Sequence, residues 1–307
     1  MTTSDNVVLD LIEAFRRSKT MFAAVELGIF DGARPADCKE LTRLLEACIA
    51  LGLLEKNGDQ YSNTAVAEKY LRSTSPGTLS GYVRYSNSAL YPMWAHLEDA
   101  LREGTHRWKQ TFGLDGPIFS HFFRTEEAMR DFQQGMHGFG QLSSPAVVAA
   151  FDLSGFRRLV DLGGGTGHLA QAARARYPQL QTAVFDLPAV ARIYRDTIAG
   201  DFFNDPLPEA DLYTLSRILH DWSEDKIRTL LAKVYAALPG GGALLIAEKL
   251  LDEHNVPAHM QSLNMLIVTE GRERSAAEYE ALLREAGFSK IESRRTGTPL
   301  DAVLAIK

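Results

Sequence analysis

Residues 157–177 read RRLVDLGGGTGHLAQAARARY, and the fold turns on how they are parsed. RRLVDL has the compact apolar pattern of a strand, and HLAQAARARY that of a helix. Between them stand Gly163, Gly165 and Gly167, a turn in which backbone can approach a ligand closely. The free N–H groups at the start of the helix then face an anion. The dinucleotide fingerprint G-x-G-x-x-G, counted from Gly163, needs glycine where His168 stands. The anion can be an amino-acid carboxylate rather than a pyrophosphate.

Downstream, strand and helix patterns alternate. QTAVFD, DLYTLS and GALLIAE read as strands; EDKIRTLLAKVYAAL and AAEYEALLREAGF read as helices, the second closed by Gly287. Such alternation predicts an α/β fold, a doubly wound, mostly parallel Rossmann-like sheet with helices on both faces. KIESRRT and LDAVLAIK are joined by too few residues for a crossover, so these last strands pair antiparallel. Upstream, the signals are helical. Val8, Leu11, Ile12, Phe15, Phe22 and Val25 fall at helical spacing, and LTRLLEACIALGLL is a second helix. EKNGDQYSN carries an Asn-Gly turn and predicts a small hairpin. Helix, helix, hairpin is a winged-helix-like layout. The expected domains are a helical one at 1–150 and the α/β one at 151–307. Two connections, 28–41 and 187–199, are short for what they must join. Trimmed elements and absent residues both remain open explanations.

Composition excludes several classes. The chain of 307 residues is 45% apolar and 23% charged, as globular proteins are. No apolar run reaches the roughly 20 residues of a membrane span, and the first 30 residues carry acids unlike a signal peptide. The net charge is −6, and the first 120 residues hold 13 Lys/Arg against 15 Asp/Glu, which argues against nucleic acid. Cys38 and Cys48 form no C-x-x-C and read as free thiols of a cytoplasmic protein.

Asp186 ends the strand after the glycine turn, where a carboxylate can accept ribose hydroxyls. Asp201 in GDFF stands beside Phe202 and Phe203, an acid and aromatics suited to an adenine. Taken singly, each acid is as well read as a cap or turn residue. The motifs DLGGGTGHLA, VFDLP, GDFFNDPLPEADLY, RILHDWSEDK, PGGGALLIAE, SLNMLIVTEGRERS and LDAVLAIK together resemble the S-adenosylmethionine-dependent small-molecule O-methyltransferases. The resemblance runs over almost the whole chain.

It implies S-adenosylmethionine as cofactor, with S-adenosylhomocysteine as product and no metal, because the sulfonium already supplies the electrophile. Gly163, Gly165, Asp186, Leu187, Gly200, Asp201, Phe202, Arg217 and Trp222 match the cofactor side. His220 matches the catalytic base, with Glu248 and Glu273 each able to hold one imidazole nitrogen. A phenol-like acceptor with pKa of about 10 is only about 0.1% ionised at pH 7, so a base is useful. Asn264 and Met265 match the acceptor pocket, and Phe132, Met136 and Phe139, at i, i+4 and i+7 of one helix, can roof it. Core packing is an equal alternative for these three and for Trp222. Asp221 can cap the following helix or assist His220. The resemblance further implies a homodimer through the N-terminal helices and a small aromatic acceptor, hydroxyindole- or phenol-like. Transfer to nitrogen or to a non-aromatic hydroxyl, and a cofactor-binding relative without activity, are the competing readings.

Overall fold

A computed structural model describes residues 7–35 and 37–307. The chain gathers into two compact units, one made of residues up to Pro92 with Thr125–Gly138, the other of Met93–Arg124 with Phe139–Lys307.

In the first unit the helices Val7–Glu26 and Leu41–Ala50 precede a hairpin of β1 (Leu54–Asn57) and β2 (Gln60–Asn63). Asn57 faces Gln60, so the two-residue turn is Gly58-Asp59, with Gly58 at φ 60°. Glycine fits there because the first turn position needs a positive φ. The core of this unit closes on Ala24, Val25, Ile29, Phe30, Leu45, Cys48 and Leu54. Among the described residues the 28–41 connection holds a single 3₁₀ turn, Ile29–Asp31.

The second unit is built on a seven-stranded sheet. Its strands are β3 (Arg158–Leu162), β4 (Gln181–Asp186), β5 (Thr197–Ala199), β6 (Leu212–Ser216), β7 (Ala243–Glu248), β10 (Lys290–Arg294) and β11 (Asp301–Ile306). Two-residue strands β8 (Leu250–Leu251) and β9 (Arg274–Ser275) pair separately. The spatial order is β10-β11-β7-β6-β3-β4-β5. Only β11 runs against the rest, pairing antiparallel with both β10 and β7. Val160, Leu162, Leu215, Leu244 and Ile246 bury one face under the helices Glu224–Ala237 and Ala276–Glu285; Leu159, Leu245 and Ala247 bury the other with the helix His168–Arg176. This two-sided burial explains why the strands are nearly continuous apolar runs.

From β3 the chain first builds outward through β4 and β5, then returns to β6 on the other side. The switch point therefore lies between β3 and β6, above their C-terminal ends, where doubly wound sheets hold ligands. The short 187–199 connection is a complete crossover with a single-turn helix, Pro188–Ala191, before a three-residue strand. Among the described residues no helix is long and apolar enough to cross a membrane.

Candidate functional site

The loops after β3, β4 and β6 meet at the switch point. Gly163 stands at φ 68°, and a Cβ there would lie 2.6 Å from Ile218 Cδ1 and 3.4 Å from Phe202. Only glycine supplies that conformation at no steric cost in so tight a place. Asp186 is fastened under the loop: its Oδ2 accepts the Gly165 N–H at 2.7 Å and its Oδ1 the Leu187 N–H at 2.7 Å. Burial pushes its carboxyl up to about 6, against the pull of those two N–H groups. Each oxygen keeps a second lone pair, as a carboxylate that receives two vicinal hydroxyls requires.

Asp201 is engaged as a turn residue. It accepts from the Phe203 N–H at 2.8 Å and from Asn204 Nδ2 at 2.7 Å. Gly200 is held by space, because a Cβ there would lie 2.5 Å from Phe185 Cε2. Phe202 and Phe203 pack edge-on against Trp222, at 6.5 and 4.9 Å between ring centroids, and Phe119 adds a tilted ring at 5.5 Å. The Trp222 Nε1 is buried with no acceptor. Arg217 is the one non-glycine residue with positive φ, 56°, among those described. Its guanidinium lies over the Phe139 ring at 4.7 Å, and its buried Nη1 has no partner. A strained backbone carrying an unmatched donor is the mark of a residue kept for a ligand.

His220 sits in a 3₁₀ turn, Leu219–Asp221, just past β6, and is 3% exposed. Three fasteners bring Glu273 to it. First, β8 continues from the β7 edge and pairs with β9, which follows Glu273 directly. Second, Ser275 and Glu278 form a reciprocal capping box that fixes the start of the helix Ala276–Glu285. Third, Gly271 lies against the backbone of residues 220–222, where a Cβ would fall 2.7 Å from Trp222 N. The result is a 2.7 Å hydrogen bond between His220 Nδ1 and Glu273 Oε1. Glu248 works mainly as a clamp, its Oε1 accepting the Ile218 and Leu219 N–H groups at 3.0 and 2.9 Å. Its Oε2 lies 3.3 Å from the same His220 Nδ1. Each glutamate was expected to hold one imidazole nitrogen; in the structure both face the same one, Nδ1. Asp221 Oδ1 is the acid nearest Nε2, at 3.7 Å, beyond hydrogen-bond reach. Asp221 does not begin the next helix, whose N-cap position is Ser223.

Two buried carboxyls and a third that is mostly covered, around one imidazole, cannot all ionise cheaply. Burial pushes Glu273 up to about 8, with Arg217, Lys249 and Arg274 opposing. It pushes Glu248 to about 7, opposed by His220 and reinforced by Glu273, and Asp221 to about 7. The ligand atoms of His220, Glu248 and Glu273 lie within 4.8 Å of one another. A zinc ion would part Nδ1 and Oε1 to roughly 3.3 Å, so the 2.7 Å contact is a hydrogen bond, not a metal edge.

Asn264 and Met265 are buried on the helix Val256–Val268, and Asn264 Oδ1 accepts the Trp94 indole N–H at 2.9 Å. Phe139 lies on the helix Glu126–Gln141 and meets Arg217, as above. Phe132 and Met136 share that helix but belong to the first unit, where Phe132 packs edge-on against Tyr85 at 5.4 Å. Sequence reasoning missed Gly271, Trp94, Lys249 and Asp161. Asp161 is fully buried in β3, accepts Thr214 Oγ1 at 2.6 Å, and is pushed to about 7 by burial. Its signal was an acid inside an otherwise apolar strand.

The chain matches a family model described as an O-methyltransferase domain over residues 94–289. It is 39% identical to acetylserotonin O-methyltransferase of Gallus gallus, with 98% of this chain and 97% of that one covered. That alignment runs over 335 positions, more than the 307 residues here, so the relative carries insertions. Human N-acetylserotonin methyltransferase, solved in complex with SAM, superposes with a TM-score of 0.94 at 36% identity, covering 100% of this chain and 99% of the other. PigF, solved with SAH, superposes with a TM-score of 0.89 at 29% identity, with both chains covered completely.

Proposed function

Because the chain belongs to the S-adenosylmethionine-dependent O-methyltransferase family, we propose that it methylates the hydroxyl of a small hydroxyindole- or phenol-like compound, with His220 taking the proton. The observation that carries the proposal is the placement of both glutamates on Nδ1. One carboxyl keeps a proton at neutral pH and the other accepts the Nδ1–H. Nε2 is thereby the nitrogen with the lone pair, ready to accept the acceptor's hydroxyl proton. As that proton arrives, the new positive charge on the ring is met by the ionised carboxylate. A base placed so contributes about 10² to 10⁴ in rate, and correct alignment of acceptor and donor contributes more.

S-adenosylmethionine, when bound, supplies the electrophilic methyl. The residues that would hold it are Gly163, Gly165 and Leu187 in the loops, Asp186 toward the ribose, and Asp201 and Phe202 toward the base. Arg217 and Trp222, each with a buried donor lacking a partner, stand beside them. Asn264, Met265 and Phe139 would make the apolar acceptor pocket. The names of the relatives favour a hydroxyindole over other phenols. Incubation with methyl-labelled cofactor and a panel of hydroxyindoles, flavonoids and phenolic acids tests this. Label on the oxygen of a hydroxyindole, located by fragmentation, is the expected result; label on nitrogen alone would overturn it.

The chain acts as a homodimer through its N-terminal helices. What supports this is the face of the helix Val7–Glu26 on which Val7, Leu11, Ile12 and Phe15 are each more than half exposed. Such a stripe is larger than scattered surface residues and suits a second copy. Sedimentation of the wild type and of a Leu11→Asp, Phe15→Asp variant should give dimer and monomer; a monomeric wild type refutes it. A reducing, cytoplasmic location fits Cys38 and Cys48, both free.

A further inference from the structure

Past Glu248 the chain turns at Lys249 before entering β8. The Lys249 ammonium lies 5.1 Å from the centroid of the Phe139 ring, which also carries the Arg217 guanidinium. Among the described residues it has no hydrogen bond and no carboxylate within 4.0 Å. The residue is also one of those lining a cavity of about 350 Å³ whose other charged lining residues are Asp252, Arg295 and Asp301. Those three are closed on one another: Arg295 Nη1 reaches Asp301 Oδ2 and its Nη2 reaches Asp252 Oδ2, both at 2.5 Å. The uncharged polar groups of the wall are also spent, Asn255 on Leu250 O and the Ala258 N–H, Thr298 on Leu300 O. Lys249 is the one wall residue left with a charge and three donors unanswered.

A partly buried cation with no carboxylate in hydrogen-bond reach is costly, and this one follows Glu248 directly in the chain and shares the Phe139 ring with Arg217. We infer that the cavity is the anionic end of the acceptor site, and that the acceptor bears a carboxylate received by Lys249. The inference rests on the acceptor reading above. The cofactor's own carboxylate is the less suitable occupant. The cavity is walled by the chain following β7 and preceding β11, whereas the glycine loop follows β3. With β6 between them, β7 and β3 are roughly 10 Å apart. Burial and Arg217 together lower the Lys249 ammonium to about 8, while Glu273 opposes. The charge, and the preference it creates, is therefore present below that pH and lost above it.

The test measures binding of 5-hydroxyindole-3-acetate and its uncharged amide to the full chain loaded with S-adenosylhomocysteine, by calorimetry. At pH 7 the acid should bind about tenfold more tightly than the amide, the scale of one charge-assisted hydrogen bond. Lys249→Met should erase that difference and leave amide and S-adenosylhomocysteine affinity within twofold. Lys249→Arg should keep the preference, and keep it at pH 9, where the wild type loses it. Equal affinity for acid and amide in the wild type, or a preference surviving Lys249→Met, overturns the inference alone. Loss of S-adenosylhomocysteine affinity in Lys249→Met assigns the lysine to the cofactor and overturns it too. Failure of both probes to bind overturns the hydroxyindole reading along with it.

Discussion

Gly271→Ala probes whether the His220–Glu273 pair depends on the close approach of two loops. The added Cβ would lie 2.7 Å from Trp222 N and 2.8 Å from the Asp221 carbonyl carbon, and nearer still to the His220 carbonyl oxygen. Ordinary contact begins at 3.4 Å. All three neighbours are backbone atoms, so no rotamer change relieves the clash, and the loops must part by about 0.7 Å or more. Adding that to the 2.7 Å bond between Nδ1 and Oε1 carries it to about 3.4 Å, past the useful range. Overpacking of this kind costs about 1–3 kcal/mol, which lowers the melting temperature of a chain of this size by about 2–5 °C. Misplacement on the order of 1 Å lowers turnover about 10²-fold. Thermal unfolding and steady-state turnover of the variant beside the wild type make the assay. An alanine variant with unchanged turnover and melting temperature would show slack between the loops and refute the reasoning.

Asp186→Asn places an amide donor against the N–H of Gly165 or Leu187; affinity for S-adenosylhomocysteine should fall about 10- to 100-fold by calorimetry, and an unchanged affinity would remove Asp186 from the cofactor site. Asn264→Ala strands the part-buried Trp94 indole N–H; it should cost about 1 kcal/mol in unfolding and raise the acceptor KM without altering S-adenosylhomocysteine binding. Glu248, Asp221 and Asp161 are raised to about 7 and Glu273 to about 8, all above the ordinary carboxylate value of the unfolded chain. Their contribution to stability is whole below about pH 4 and lost as pH rises through about 7 to 8, so the protein should melt at a lower temperature at pH 9 than at pH 6. A melting temperature that climbs over that interval would contradict the assignment.

The sheet was legible because both its faces are covered, so β3, β6 and β7 read as apolar runs bounded by glycine and charged residues. The antiparallel end was legible from a connection too short to cross over. Strand β5 was not, because three edge residues with Ile198 partly exposed have no period to detect. The 187–199 segment reads as short because a crossover ordinarily takes a dozen or more residues before the next strand, and here a single helical turn serves. In the site, the residue types and their order along the chain were visible, but their arrangement was not. That Glu248 and Glu273 converge on one nitrogen depends on the two-residue pairing of β8 with β9 and on the contact at Gly271. Both are tertiary and leave no periodic trace. Lys249 was invisible for a related reason: a lysine after a strand is unremarkable until the acids near it are seen to be spoken for.

The central claim is that His220 Nε2 takes the acceptor's proton. Single-turnover methyl transfer by His220→Ala, with S-adenosylhomocysteine affinity measured on the same preparation, tests it most directly. The account predicts a fall of about 10² to 10⁴ in the transfer rate with cofactor affinity unchanged. Transfer at the wild-type rate would contradict it.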